Sequence, residues 1–239
     1  MNDLFDLSGK VALVTGGSRG IGEMIAAGFV ANGVRTYISA RKAEACDATA
    51  KRLSEAGECI SIPGDLSTVE GVKALADEIK ERESQLDILV NNAGAAWGEP
   101  LENYPESGWD KVMDINVKSP FFLTQALLPL LEKSASAADR ITVNRLPNFA
   151  YGPSKAAVHH LARTLAAHLA DRNITSNAIA PGPFPSQMMV GTLEKFGDEI
   201  RAGVPLKRVG EPGDMAGTAI FLASKAASYV TGVVIPVDG

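Results

Sequence analysis

Lys10-Val11-Ala12-Leu13-Val14-Thr15-Gly16-Gly17-Ser18-Arg19-Gly20-Ile21-Gly22 holds an apolar run, a glycine-rich turn and the opening of a helical pattern. The run from Lys10 to Thr15 reads as a buried strand, and the amphipathic stretch from Ile21 to Asn32 as a helix. Glycines at 16, 20 and 22 let the backbone between them turn tightly and approach a pyrophosphate, whose charge a helix N-terminus favours. A stray glycine cluster is usually just a turn. Between a strand and a helix at the head of the chain it points to a bound dinucleotide, with Ser18, Arg19 and Ile21 inside the cradle.

The same alternation continues along the chain. Further strands are predicted over Val34 to Ala40, Glu58 to Ile62, Leu86 to Asn91, Arg140 to Asn144, Ile174 to Ala180 and Gly232 to Val237. Amphipathic stretches lie between them at Thr68 to Arg82, Trp109 to Lys133, Ser154 to Asp171 and Pro212 to Ala223. Strands separated by helices imply parallel pairing through right-handed crossovers. The expected fold is therefore α/β, a doubly wound, Rossmann-like parallel sheet with helices on both faces. In such sheets the ligand lies beyond the carboxyl ends of the strands.

No linker, charge block or repeat divides the 239 residues, so one domain over 1–239 is expected. The net charge of −5 comes from 23 basic and 28 acidic residues mixed along the chain, which argues against nucleic acid. Cys46 and Cys59 lack metal-ligand spacing, so reduced thiols and no metal are expected. The start is acidic rather than basic and apolar, and the most apolar stretch, Phe121 to Leu131, is too short to cross a bilayer. These readings predict a soluble cytoplasmic protein with no membrane partner.

Two positions carry cofactor choice and chemistry. An acidic residue at the end of the second strand would hold a free ribose 2′-hydroxyl, but the strand ends Ser39-Ala40-Arg41-Lys42, and Glu44 falls too late. Arg41, with Arg19, can instead grip a 2′-phosphate, which favours NADP(H); the alternative is two solvated surface cations. Tyr151 and Lys155 stand four apart at the mouth of a helical pattern, on one face. A phenol beside a cation releases and recovers a proton more readily, although any helix can carry such a pair in solvent.

The order of Gly16, Gly20 and Gly22, Asp65, Asn91-Asn92-Ala93-Gly94, Asn116, Tyr151 with Lys155, and Pro181-Gly182 resembles the short-chain dehydrogenase/reductase family along nearly the whole chain. Within it, Gly94-Ala95-Ala96-Trp97-Gly98 and Pro181 to Ser186 look most like 3-oxoacyl reductases of the rhamnolipid-pathway type. The resemblance implies hydride transfer between nicotinamide and a small carbonyl or alcohol, with Tyr151 exchanging the proton on oxygen. It implies that Lys155 lowers the phenol pKa and meets the nicotinamide ribose, and that Asn116 supports a water relay behind Lys155. A mid-helix Asn otherwise faces solvent or bonds locally. By the same resemblance Asp65 and Leu66 meet the adenine, Asp65 otherwise being a helix cap. Asn92, Ala93, Gly94, Pro181, Gly182 and Ser186 would lie along the cofactor, and helix 154–171 would pair subunits as a homodimer or homotetramer.

One family feature is missing. A Ser a few residues past the fifth strand should polarise the carbonyl opposite the Tyr. Arg145-Leu146-Pro147-Asn148-Phe149-Ala150 contains none. Ser134 and Ser136 precede the strand, and Thr142 is inside it. Either the protein lacks the hydroxyl and its loop, or it carries residues between Asn144 and Tyr151 that this sequence does not. Six residues including a proline are short for a strand end, a site wall and a helix entry, which favours the second. Trp97, Phe149, Phe184, Met188, Met189 and Phe196 suggest either an apolar substrate wall or lid packing. His159, His160 and His168 have no acidic cluster beside them.

Overall fold

The computed structural model describes residues 4–134, 137–140, 151–186 and 189–239. Seven strands form one sheet in the order β3-β2-β1-β4-β5-β6-β7, with every neighbour parallel. They are β1 (Val11–Thr15), β2 (Arg35–Ser39), β3 (Cys59–Ser61), β4 (Ile88–Asn91), β5 (Ala137–Arg140), β6 (Ser176–Pro181) and β7 (Val234–Val237). The helices are α1 (Gly20–Ala31), α2 (Ala43–Leu53), α3 (Val69–Arg82), α4 (Glu106–Met113), α5 (Ser119–Leu131), α6 (Tyr151–Leu169), α7 (Val190–Gly203) and α8 (Pro212–Ala223). Strand order reverses between β1 and β4, so the crevice for a ligand opens at their carboxyl ends.

Both faces of the sheet are buried, which is why β1 and β4 read as unbroken apolar runs. Ala12 and Val14 join one core with Ile25 and Phe29 of α1, Ala50 of α2 and Met215 and Ala219 of α8. Val11 and Leu13, one residue out of phase, join the other with Leu75 and Ile79 of α3 and Leu123 and Leu127 of α5. Each fully buried Leu or Ile among them stabilises the fold by about 1.5–3 kcal/mol.

Six strands fall where the sequence pattern predicts them. For the fifth, the described strand begins before the expected span: Ala137–Arg140 pairs with β4 from Leu89↔Ala137 and with β6 from Ala137↔Ser176. Only Arg140 is shared with the expected strand, and 141–144 lie outside the described residues. Periodicity selects the apolar run Ile141-Thr142-Val143 and gives no sign that Ala137 to Asp139 also pair, because that depends on register with two neighbouring strands. Ser134 donates its hydroxyl to Asp87 beside the amino end of β4, and Asp87 also accepts from Val11 N. Ser134 therefore lies away from the crevice.

The stretch Trp109 to Lys133, expected as one regular helix, is interrupted by a π-turn at Asp114–Lys118 between α4 and α5. Pro120 follows at the second position of α5. Proline lacks an N–H, and inside a helix its ring crowds the carbonyl four residues earlier, here that of Asn116. Widening the turn relieves that crowding, and π-turns of this kind recur at functional sites.

Candidate active site

The glycine loop is fixed by β4. Thr15 Oγ1 donates to Val90 O at 3.2 Å and accepts from Asn92 N at 2.9 Å and Ala93 N at 3.0 Å. The Asn92 side-chain amide donates to Thr15 O at 2.9 Å and Gly16 O at 3.3 Å. Gly16 and Gly20 have φ of +64° and +57°, the left-handed region where a side chain is costly. A Cβ on Gly22 would stand 2.3 Å from Gly16 O and 2.4 Å from Asn92 Nδ2, so the loop closes onto α1 only because that atom is missing. Arg19 N-caps α1 without a side-chain bond, leaving the helix's first N–H groups to a ligand. Ser18 O is held by Thr49 Oγ1 at 2.9 Å, and Ile21 packs against the first core.

At the β2 edge, Arg19, Arg41 and Asp65 are exposed. Neither arginine joins an ion pair among the described residues. Asp65 Oδ1 accepts from Ser67 N at 3.0 Å. That bond, with the Ser67 hydroxyl and the Arg41 charge, holds its carboxyl below the usual range. Asp65 is not the helix cap: Thr68 is, its hydroxyl accepting from Gly71 N at 3.1 Å. Leu66 is buried in the second core, so any contact it makes with a ligand falls to its backbone.

On the other side of the switch point lie Gly94, Asn116 and α6. Asn116 is 2% exposed, and Ser154 and Thr15 are also buried. Asn116 Oδ1 accepts from Ala95 N at 2.8 Å, and Asn116 Nδ2 donates to Ala95 O and to Ser154 Oγ, both at 3.0 Å. A Cβ built on Gly94 would lie 3.4 Å from Asn116 Oδ1 and 3.8 Å from Lys155 Nζ. The Asn116 amide and the Lys155 ammonium thus converge at one glycine. Tyr151 is the first residue of α6, one turn before Lys155. One turn after it, burial and then the Arg163 and Lys155 cations push the His159 imidazole below its ordinary pKa.

Pro181 ends β6; Gly182 N donates to Val237 O at 2.9 Å, and a Cβ on Gly182 would meet Asp238 Cα at 2.6 Å. Ser186 Cβ lies 3.4 Å from where a Cβ on Gly20 would be, so the segment after β6 covers the glycine loop. Phe184 packs inward. It is 2% exposed in the first core, its ring 2.3 Å from where a Gly210 Cβ would stand. Trp97 packs on Gly108 beside the site, with Lys111 Nζ 5.1 Å from the ring centre. Phe196 is exposed at a kink in α7; Phe149 and Met188 lie outside the described residues.

Sequence reading did not single out Thr15, Ser154 or Pro120. The first two are hydroxyls on a strand end and a helix face, which carry no periodic signal. Pro120 could have been found from its place four residues after Asn116.

A parallel sheet, a glycine cradle at the switch point and a Tyr/Lys helix beside it define a nicotinamide-dependent oxidoreductase class. The family described as enoyl-(acyl carrier protein) reductase matches residues 16–239. The chain belongs to the short-chain dehydrogenase/reductase family. It is 49% identical over 252 residues to the rhamnolipids biosynthesis 3-oxoacyl-[acyl-carrier-protein] reductase of Pseudomonas aeruginosa, covering 100% of this chain and 98% of the relative. It is 33% identical over 248 residues to the 5-keto-D-gluconate 5-reductase of Escherichia coli K12, covering 100% and 98%. The structure of a Pseudomonas aeruginosa RhlG/NADP active-site complex superposes with a TM-score of 0.95 at 48% identity, covering 100% of this chain and 98% of that one. The alignment with the first relative has 252 positions against 239 residues here, so at least 13 of its positions have no counterpart in this chain.

Proposed function

We propose that residues 1–239 act as one dinucleotide-binding and catalytic domain that reduces a small carbonyl compound with NADPH, a 3-oxoacyl thioester being the best-supported substrate. The substrate class rests on the 49% identity to a 3-oxoacyl reductase. The observation that carries the activity is the convergence of Lys155 Nζ and the Asn116 amide at Gly94, beside the loop that Gly16, Gly20 and Gly22 form. NADP(H) fits the other end: the end of β2 offers no acid, and Arg19 and Arg41 are exposed and form no ion pair among the described residues.

When bound, NADPH supplies the hydride to the carbonyl carbon. The protein's part is the proton: the Tyr151 phenol gives it to the carbonyl oxygen, and the Lys155 ammonium stabilises the phenolate left behind. Ser18, Arg19 and Ile21 offer backbone N–H groups to the pyrophosphate. Asp65 and Leu66 border the adenine, and Asn92, Ala93, Gly94, Pro181, Gly182 and Ser186 lie along the nicotinamide half. The half-buried Leu161 of α6, which belongs to neither core, supports pairing into a homodimer or homotetramer. Two buried free thiols, Cys46 and Cys59, support a reducing, cytoplasmic setting. The test is NADPH oxidation by the purified protein over a panel of 3-oxoacyl thioesters and sugar ketones, with Tyr151→Phe as the control.

A second reading has its own support. No Ser lies between Arg140 and Tyr151, and the relative holds at least 13 positions this chain lacks. On this reading the chain binds NADP(H) but turns over poorly, because no hydroxyl polarises the carbonyl. Calorimetric NADPH binding without hydride transfer across the panel selects it over the first.

A further inference from the structure

Two residues outside the proposed proton-transfer set bear on the placement of Asn116: one by its place in the helix, the other by a hydrogen bond. The first is Pro120. The helical path from Glu106 to Leu131 is continuous apart from the π-turn at Asp114–Lys118, and Pro120 lies four residues after Asn116. In an α-helix the carbonyl of residue i accepts from the N–H of residue i+4. At that position stands a proline, so the α-helical donor to Asn116 O does not exist. The second is Ser154. It is wholly buried, it precedes Lys155 in α6, and its Oγ accepts from Asn116 Nδ2 at 3.0 Å. With the two bonds to Ala95, every partner of the Asn116 amide among the described residues belongs either to the loop after β4 or to α6. The π-turn is therefore fastened on one side to the cofactor loop and on the other to the turn that carries Lys155.

We propose that Pro120 and Ser154 are positioning residues for proton transfer: Pro120 keeps the Asn116 carbonyl out of the α-helical ladder, and Ser154 sets that residue against Lys155. The water relay that the family resemblance assigns to Asn116 would then use this carbonyl, behind the Lys155 ammonium whose charge makes the Tyr151 phenolate accessible. This deepens the oxidoreductase reading above and rests on its assignment of Tyr151 and Lys155. The two residues act by different means. Ser154→Ala removes an acceptor and leaves a buried amide N–H unpaired. Pro120→Ala adds a backbone N–H and a better helix former, so it should tighten the helix.

The test measures both variants for kcat, KM, melting temperature and pH profile. Pro120→Ala is expected to keep or raise the melting temperature while kcat falls about tenfold, a fraction of what acid–base catalysis contributes, with KM for NADPH little changed. Ser154→Ala is expected to lower kcat by a similar factor. In both, the pH limb that reports Tyr151 should move to higher pH. A structural role alone would lower stability or active fraction without moving that limb. If the wild-type protein turns over no substrate, the oxidoreductase reading fails separately. The inference is then read from the pH at which Tyr151 ionises with NADP+ bound, followed by tyrosinate absorbance with Tyr151→Phe subtracted. A higher ionisation pH in both variants supports it. Wild-type pH profiles and wild-type ionisation in both overturn it.

Discussion

The two ends of the crevice are built on opposite principles. At the β2 edge, Arg19, Arg41 and Asp65 are exposed, and among the described residues only the Asp65 side chain of the three is tied down by a hydrogen bond, from Ser67 N. At the β4 and α6 end, Thr15, Asn116 and Ser154 are buried and joined by hydrogen bonds of 2.8 to 3.2 Å. The difference follows from the task. Recognising a phosphate needs charge at the surface, where long side chains can close on an arriving anion. Moving a proton needs fixed distances in a low-dielectric setting, which only a satisfied buried network keeps. Side-chain loss at the exposed end should therefore cost the fold less than loss of a buried hydrogen-bond partner at the other.

The largest expected effect breaks the buried end at its chemistry: Tyr151→Phe should lower kcat by about a hundredfold or more with NADPH affinity retained, checked by steady-state kinetics and calorimetry. Gly22→Val follows. Its side chain must enter space where Gly16 O and Asn92 Nδ2 already lie, so NADPH binding should be lost and the melting temperature should fall. At the exposed end, Arg41→Ala should weaken NADPH about tenfold or more, leave NADH within twofold, and leave the melting temperature unchanged. If that variant unfolds, or if NADH weakens equally, the contrast between the two ends fails.

Smaller effects sharpen the contrast. Cys46 and Cys59 are buried in the first core; burial pushes both thiols up, that of Cys59 to about 11. Neither should react with iodoacetamide at neutral pH in the native protein or in Arg41→Ala, as mass spectrometry would report. The smallest effect lies outside both ends. Hydrogen bonds from Arg208 and then from Glu211 N lower the Asp214 carboxyl to about 2. A folded-state pKa below the unfolded one contributes stability above the ordinary carboxylate range, and that contribution is lost as pH falls through about 2. The pair is surface-exposed, so Arg208→Ala should lower the melting temperature slightly at neutral pH and not at all at the acid limit.

Much of this was legible in the chain. Val11 to Thr15 and Ile88 to Asn91 announce strands buried on both faces because parallel sheets exclude polar residues from both. Gly16, Gly20 and Gly22 announce a cradle because a backbone at positive φ, or closing on another backbone, admits nothing larger. Phe184 stayed open between two readings because an aromatic in a loop reads the same whether it faces a substrate or packs on a Gly210 that leaves it room. The π-turn was hidden because Trp109 to Lys133 keeps a helical period on both sides of it.

The sequence by itself determined the sheet's strand-and-helix alternation, the glycine loop, the lack of an acid after β2 and the lack of a Ser between Arg140 and Tyr151. These are matters of residue type and chain order, and local sterics and charge suffice to read them. Only the tertiary structure decided that β5 is Ala137–Arg140, that Thr15 fastens the glycine loop to β4, and that Asn116 spans Ala95 and Ser154. Those depend on partners far apart in the chain, whose meeting is fixed by sheet register and helix packing rather than by any local pattern.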